Sequence, residues 1–350
     1  MVAESAAAER LHSEIKRRRV FVLGAGFSAA AGVPMTAPLL DQAMGLLRRT
    51  GYGLYDRMES MARTCFGLTS DTVIDWTKID LSAFCTFLEY QELREYAGAE
   101  RWSDDGSREK LALRFYLSRA VAESTPDPDD VPPLYVDFAS MLRPGDIVIS
   151  FNWDALLENS LERCGVEYSY SVEPFAVALA KLHGSVNWRW DLPERATLTW
   201  NPVGLTTGLM PVDLYECPEL RSQASWKSLS PLGEVAPTIV LPGFGKAYDV
   251  RRLAYLWYKP EFAFGFTHDV FVIGLALARD DFIVRSFMLD NLPYIDGYSG
   301  VPGRRIHVVN PDPMARGRYG FLVGRSNVEF HLEPFGRKHL ELIRASGQES

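Results

Sequence analysis

Four apolar residues, Val20 to Leu23, run without a polar break into Gly24-Ala25-Gly26-Phe27-Ser28-Ala29, and no other stretch of the chain restricts its possible folds as much. An unbroken apolar run of this length predicts a strand covered on both faces of a parallel sheet. The glycines predict a tight turn at its carboxyl end. In the spacing G-x-G-x-x-G/A the first glycine turns the chain and the second lets backbone approach a pyrophosphate. A small third residue, here Ala29, lets helix and strand pack closely. The helix start beyond the turn is expected to present free N–H groups to an anion. A glycine turn that binds nothing is the other reading of the same residues.

At 350 residues, 47% hydrophobic and 23% charged, the chain is long enough for one large domain or two ordinary ones. Its net charge of -8 argues against direct binding of nucleic acid, because phosphate contacts favour a basic excess. The basic run Arg17-Arg18-Arg19 immediately precedes the first strand and is expected to be solvated. Cys65, Cys85, Cys164 and Cys217 are far apart, with no C-x-x-C pair to form a zinc ribbon or a redox site. Lone thiols and no metal site are expected. Met1 to Glu9 is alanine-rich but carries Glu4 and Glu9 and lacks the apolar core of a signal peptide. No stretch approaches membrane-span length, so a cytoplasmic protein without membrane contact is expected.

Thr36 to Arg49 places Leu39, Leu40, Ala43, Met44, Leu46 and Leu47 at helical spacing. No strand ending in Asp or Glu follows where a dehydrogenase would hold the adenosine ribose, which excludes that class. Tyr52 to Glu123 reads as helical instead, closed by the proline-rich segment Ser124 to Pro133. Strand patterns resume at Asp146 to Ser150, Ala176 to Leu182, Thr238 to Leu241, Val270 to Ile273 and Arg305 to Val309. Helical patterns lie between them, at Asp154 to Cys164, Val250 to Phe264 and Asp281 to Leu289, and Asn187 to Asp213 reads as a hairpin excursion. The alternation predicts an α/β fold, a Rossmann-like, mostly parallel sheet flanked by helices with an inserted helical module. Residues 17–50 and 134–325 are expected to form the sheet domain, 51–133 the helical module, and 326–350 a C-terminal strand and helix tail.

Ligands of open parallel sheets bind at the carboxyl ends of the strands. Three such ends carry polar residues: Phe151-Asn152-Trp153-Asp154, His183-Gly184-Ser185 and Asn310-Pro311-Asp312. Each also has a structural reading, Asp154 as a helix cap, His183 as a turn residue and Asn310 as the cap of a turn. Of the six histidines, His183 stands out, because it follows an apolar strand and precedes a glycine. His12 lies in a polar leader and His331 and His339 lie in the tail, while His268 and His307 lack that context.

Gly24-Ala25-Gly26-x-Ser28 with Gly32-Val33-Pro34, Asn152-x-Asp154, His183-Gly184, Ile273-Gly274 and Val309-Asn310 occur in the order found in sirtuins, and the chain resembles a sirtuin-like domain from Arg19 to Pro313. The resemblance implies that Gly24, Ala25, Gly26, Phe27, Ser28, Gly32, Pro34, Phe151, Gly274 and Asn310 bind NAD. It implies that Asn152, Asp154 and His183 act at the nicotinamide end. Deacylating sirtuins continue the Gly-Ile-Pro element with Asp-Phe-Arg, where Met35-Thr36-Ala37 stands here. They carry four zinc cysteines, whose spacing is missing here. The glutamine that usually precedes the asparagine is Phe151, and the later Gly-Thr-Ser is Gly274-Leu275-Ala276. In these departures the chain is similar to the zinc-less sirtuin-like NAD hydrolases of bacterial anti-phage defence.

That resemblance implies an NAD glycohydrolase with NAD as substrate and no zinc, acting by NAD depletion as in abortive infection. It also implies a homo-oligomer and a partner such as a HerA-type ATPase or a short Argonaute. Two alternatives stay open, an NAD-dependent protein deacylase and a scaffold subunit that binds NAD or ADP-ribose without turnover. The residues themselves suit glycoside cleavage. Asn152 can donate and accept hydrogen bonds, His183 can take a proton near neutrality, and Asp154 can orient the carboxamide or cap the helix.

Overall fold

A computed structural model describes residues 19–49, 53–95, 107–170, 175–190, 198–203, 214–229, 236–265, 267–293, 304–323 and 327–346. The leader with His12, Arg17 and Arg18 and most of the expected hairpin excursion lie outside them. The centre is a seven-stranded sheet in the order β12-β11-β10-β1-β2-β4-β3. Its strands are β1 (Arg19–Leu23), β2 (Ile147–Ser150), β3 (Tyr168–Ser169), β4 (Val177–Lys181), β10 (Asp269–Ile273), β11 (Arg305–Val309) and β12 (Asn327–His331). Every pairing is parallel. The Rossmann-like α/β expectation is borne out. β1 lies in the middle, between β10 and β2, and Val20, Phe21 and Val22 are wholly buried, as a strand with both faces covered requires.

From β1 the chain first builds outward through β2 and β4, then returns to build the other half through β10, β11 and β12. The change of direction occurs beside β1. The carboxyl ends of β1, β2 and β10 lie there, the place where doubly wound sheets form a ligand crevice.

Two hydrophobic cores share the molecule. The first surrounds the sheet. The second joins α2 (Thr36–Arg49), α3 (Leu54–Phe66), α4 (Leu81–Glu95) and α5 (Arg108–Ser124). All six apolar positions of α2 named above are buried, and they lie in the second core from Val33 onward. The helical unit therefore begins before residue 51, because the apolar face of α2 packs on α5 rather than on the sheet.

Four further expectations change. Arg19 is not solvated: its side chain is 3% exposed and pairs with Asp146 (Nη2–Oδ2 2.5 Å), while Nη2 also donates to the Met141 carbonyl at 2.8 Å. A carboxylate facing it from the turn before β2 compensates its burial. The Thr238–Leu241 pattern yields β9 (Thr238–Ile239), which leaves the main sheet to pair antiparallel with β5 (Gly184–Ser185). The tail is an integral part of the fold. β12 is the edge strand of the sheet, and Leu340 and Ile343 of the last helix, α13 (Arg337–Ser346), enter the first core. Finally, the glycine turn leads into a single turn of helix, α1 (Ala25–Ser28), and a 3-10 turn over Ala29–Ala31 that Gly32 ends with φ 89°. The expected helix start is thus four residues long, too short to present the N-terminus of a full helix to an anion.

The excursion is a small antiparallel sheet of β6 (Trp188–Arg189), β8 (Tyr215–Glu216) and β7 (Asn201–Pro202). Remaining helices used below are α6 (Pro133–Ser140), α7 (Leu156–Cys164), α9 (Lys246–Arg252), α10 (Ala254–Phe264) and α11 (Phe282–Asn291). No described helix is long and apolar enough to cross a membrane.

Candidate functional site

The glycine turn is held from below by its neighbour strand. Gly24 N donates to the Ile273 carbonyl and Gly26 N to the Gly274 carbonyl, both at 3.0 Å. A Cβ on Gly24 would lie 2.5 Å from Leu275 Cα, and one on Gly26 would lie 2.9 Å from Gly274 Cα. Gly274 has φ 68° and would bring a Cβ within 2.1 Å of Phe27 N. These glycines are thus required by backbone packed on backbone, independently of any ligand. The ring of Phe27 points away, 2% exposed in the first core, where it meets Tyr135, Phe138 and Phe335. Tyr135 Oη donates to the Phe27 carbonyl at 2.7 Å, which anchors the end of the turn.

Asn152 follows β2 and reaches across to that turn. Its Nδ2 donates to the Gly24 carbonyl at 3.0 Å and to Ser28 Oγ at 3.1 Å. Both amide hydrogens are committed. The side chain is left with its carbonyl oxygen as the group to offer a ligand, an acceptor. Asp154 is also tied in, since its Oδ1 accepts from Leu156 N at 3.1 Å at the start of α7 and its carboxylate takes a hydrogen bond from Ser28. Burial pushes its carboxyl above the ordinary range, opposed mainly by the Lys181 ammonium. Asp154 stands one residue before the N-cap position, Ala155, so it holds the first helical N–H without being the cap itself.

His183 follows β4, fixed by two backbone bonds: Leu182 N to the Ser150 carbonyl and Val240 N to the His183 carbonyl, each 2.9 Å. The next residue must be glycine, because a Cβ on Gly184 would overlap the Thr238 carbonyl oxygen at 2.0 Å. The imidazole lies against the rings of Phe151 (5.0 Å) and Trp257 (6.3 Å). Burial first, and the nearby Lys246 ammonium second, hold its pKa well below 6.5, so the ring is neutral near pH 7. The Phe151 backbone beside the ring opposes this depression, and Nε2 is buried with no protein partner.

These groups line one pocket of about 200 Å³. Ala25, Pro34, Phe151, Asn152, Asp154 and His183 all border it. Gly24, Gly26, Ser28 and Gly274 form its supporting turn, while Phe27 is in the core and Gly32 is an exposed turn residue at which a Cβ would meet nothing within 4 Å. Asn310 stands apart: its Nδ2 holds the Leu275 carbonyl at 3.0 Å and its Oδ1 accepts from Asp312 N at 2.9 Å. That is the turn-capping role, and it supports the Gly274–Leu275 backbone from behind. A smaller cleft of about 50 Å³, lined by Arg114, Arg189, Arg252 and Asp249, shares Val240 with the pocket.

Two charged pocket residues, Lys246 and Asp281, escaped the sequence reading. Lys246 opens α9 and pairs with Asp281 (Nζ–Oδ2 2.6 Å), which caps α11 through Val284 N at 3.2 Å. Lys246 follows Gly243-Phe244-Gly245 and stands five residues beyond the Thr238 to Leu241 strand pattern, too far to be marked as its carboxyl end. Trp153 and, from the helical unit, Leu39, Leu81 and Val121 complete the wall.

No protein-family model matches the chain, and no curated protein matches it. Solved structures similar to it include a sirtuin from work on the structural basis of sirtuin substrate affinity, with 15% identity and TM-score 0.40 over 98% of this chain and 98% of that one. Another is a Sir2 enzyme studied for mechanism and regulation, with 16% identity and TM-score 0.42 over 98% and 96%. A third is Sir2Tm bound to a propionylated peptide, with 14% identity and TM-score 0.39 over 97% of each chain. Likeness at this level assigns no residue a role, and the fold described above rests on its own strand order.

Proposed function

We propose that this chain is an NAD glycohydrolase, converting NAD and water to ADP-ribose and nicotinamide. The observation that carries the reading is the convergence of Asn152, Asp154 and a neutral His183 with an uncommitted Nε2 on one pocket beside the Gly24–Gly26 turn. Breaking the bond from ribose C1′ to the pyridinium nitrogen sends the electron pair to nitrogen. Nicotinamide leaves neutral and needs no general acid. The ribosyl group left behind resembles an oxocarbenium ion. Water bonds to C1′, and the proton it sheds passes to His183 Nε2 and on to solvent. Asn152 offers its carbonyl oxygen to a ribose hydroxyl or to that water. Its committed amide hydrogens fix the oxygen in place, and fixed polar groups are what such a reaction gains most from. Asp154 holds the Ser28–Asn152 chain and orients the carboxamide.

Purified protein given NAD should release nicotinamide, and Asn152→Ala and His183→Ala should each slow release by ~10²–10⁴-fold, the range for a positioned acid–base group. No release in any assembly state, with natural partners present, overturns the proposal. O-acyl-ADP-ribose formed from an acyl-lysine peptide would assign deacylation instead, and tight NAD binding without release would assign a scaffold. The resemblance to anti-phage NAD hydrolases extends the reading to an effector that depletes NAD together with a partner chain. The cellular measurement is NAD content after phage infection, with and without His183→Ala.

A further inference from the structure

β11, β12 and the segment from β12 into α13 bring together three histidines and two glutamates that the proposed reaction does not use. The register sets His307 opposite Glu329 and Val309 opposite His331. With the two-residue period of a strand, His307, Glu329 and His331 fall on one face of the ladder. His307 Nδ1 lies 3.3 Å from Glu329 Oε2, and His331 Nε2 lies 3.8 Å from Glu329 Oε1. One donor atom from each of the three can be chosen with all separations within 4.8 Å. His307 Nδ1 and His331 Nε2 are buried and make no hydrogen bond.

We propose that His307, Glu329 and His331 form a binding site for a divalent transition metal, with Zn²⁺ the best match. A tetrahedral ion bound at about 2.0–2.2 Å to nitrogen and oxygen holds its ligand atoms roughly 3.3 Å apart. The pair at 3.3 Å already meets that separation, Glu329, 61% exposed, is free to rotate toward both rings, and small turns of the imidazoles close their own separation from within 4.8 Å. Two imidazoles and one carboxylate leave a fourth position for water. Nitrogen donors select Zn²⁺, Co²⁺ or Ni²⁺ over Mg²⁺ and Ca²⁺, which take oxygen. The first ring is held by stacking on Phe271 at 5.0 Å and 13°. His339 packs edge-on against His331 at 5.4 Å, but it is a neighbour rather than a ligand. Its Nδ1 accepts from Gly336 N at 3.0 Å, so in the neutral ring Nε2 carries the proton. Glu333 is likewise engaged, by Lys338. A bound ion would tie the edge strand β12 to β11 beneath α13.

The test uses the untagged full chain, stripped with chelator and desalted, then titrated with Zn²⁺ or Co²⁺. Expected are one ion per chain by mass spectrometry, a raised melting midpoint, and a Co²⁺ absorption spectrum of a nitrogen- and oxygen-ligated site. Glu329→Gln, an exposed position that should not impair folding, and His331→Ala should weaken binding by more than about 10–100-fold, the cost of losing even an outer partner of a metal ligand. Glu333→Gln should leave it unchanged. No ion bound at micromolar metal, binding indifferent to Glu329→Gln, or equal stabilisation by Mg²⁺ would each overturn the site, the first two leaving His307–Glu329 as a cross-strand contact only. Nicotinamide release does not enter the readout, so this outcome and that of the proposed function are separable.

Discussion

At the scale of single residues, the pocket is defined by which hydrogen-bonding groups are already spent. Asn152 has given both amide hydrogens to the glycine turn, and Asp154 has given one oxygen to the start of α7. His183 keeps Nε2 without a protein partner, and burial keeps its ring neutral. Facing it are the Phe151 and Trp257 rings and Lys246, itself bound to Asp281. The acidic limb of the pH profile for nicotinamide release should therefore lie below pH 6.5 and vanish in His183→Ala. The same depression has a sign for stability. The unfolded chain takes up a proton at His183 near pH 6.5 and the folded one only at lower pH, so this contribution is whole above about 6.5 and is lost as pH falls. Chemical denaturation at pH 7.5 and 5.5 should show wild type losing more stability than His183→Gln; an equal loss would place the imidazole in solvent.

At the scale of elements, two junctions hold the site. Beside β1 and β10, the glycine turn rests on Gly274 backbone with no room for a methyl group. Gly274→Ala should destabilise the fold by about 1–3 kcal/mol, the cost of overpacking, and should lower NAD affinity, since the turn must lift. Beneath β4, Lys181 is 1% exposed and donates to Glu158 Oε1 at 2.8 Å, to the Asp154 carbonyl at 2.6 Å and to Ser185 Oγ at 2.6 Å. Lys181→Met strands the buried Glu158 carboxylate and should cost about 3–5 kcal/mol. Glu158→Leu in the same chain should recover most of that, because Tyr170 retains Glu216 as a partner at 3.0 Å. If the double variant is no more stable than Lys181→Met, the loss comes from packing rather than from an unpaired charge. Strands with continuous apolar runs are legible in the sequence. β12 is expected as a strand of the tail, but its place at the edge of the main sheet is not legible, because Asn-Val-Glu-Phe-His alternates polar and apolar residues and lacks the continuous apolar run of the other strands.

At the scale of the whole molecule, the pocket lies where the two cores meet. Val33, Leu39, Leu81 and Val121 belong to the helical core and Phe151 and Val240 to the sheet core, and all six line it. A ligand seated there bridges both, so ADP-ribose, or NAD with the His183→Ala chain, should raise one shared melting transition. The gain is about 2.7 kcal/mol at a hundred times Kd; a rise confined to part of a split transition would show that the ligand contacts one core only. The amino-acid sequence by itself determined the alternation of strands and helices, the glycine turn after β1 and the polar residues that end β2 and β4. Those features are local, set by side-chain periodicity and by the turn chemistry of neighbouring residues. Tertiary structure alone decided the strand order, the burial of Arg19 and Lys181 with their carboxylates, and the assembly of His307, Glu329 and His331. It also decided that Asn152 spends its amide on a turn 128 residues earlier. Each of these depends on which distant segments meet, and that follows from how two apolar cores close around one sheet, a global packing solution that no local pattern encodes.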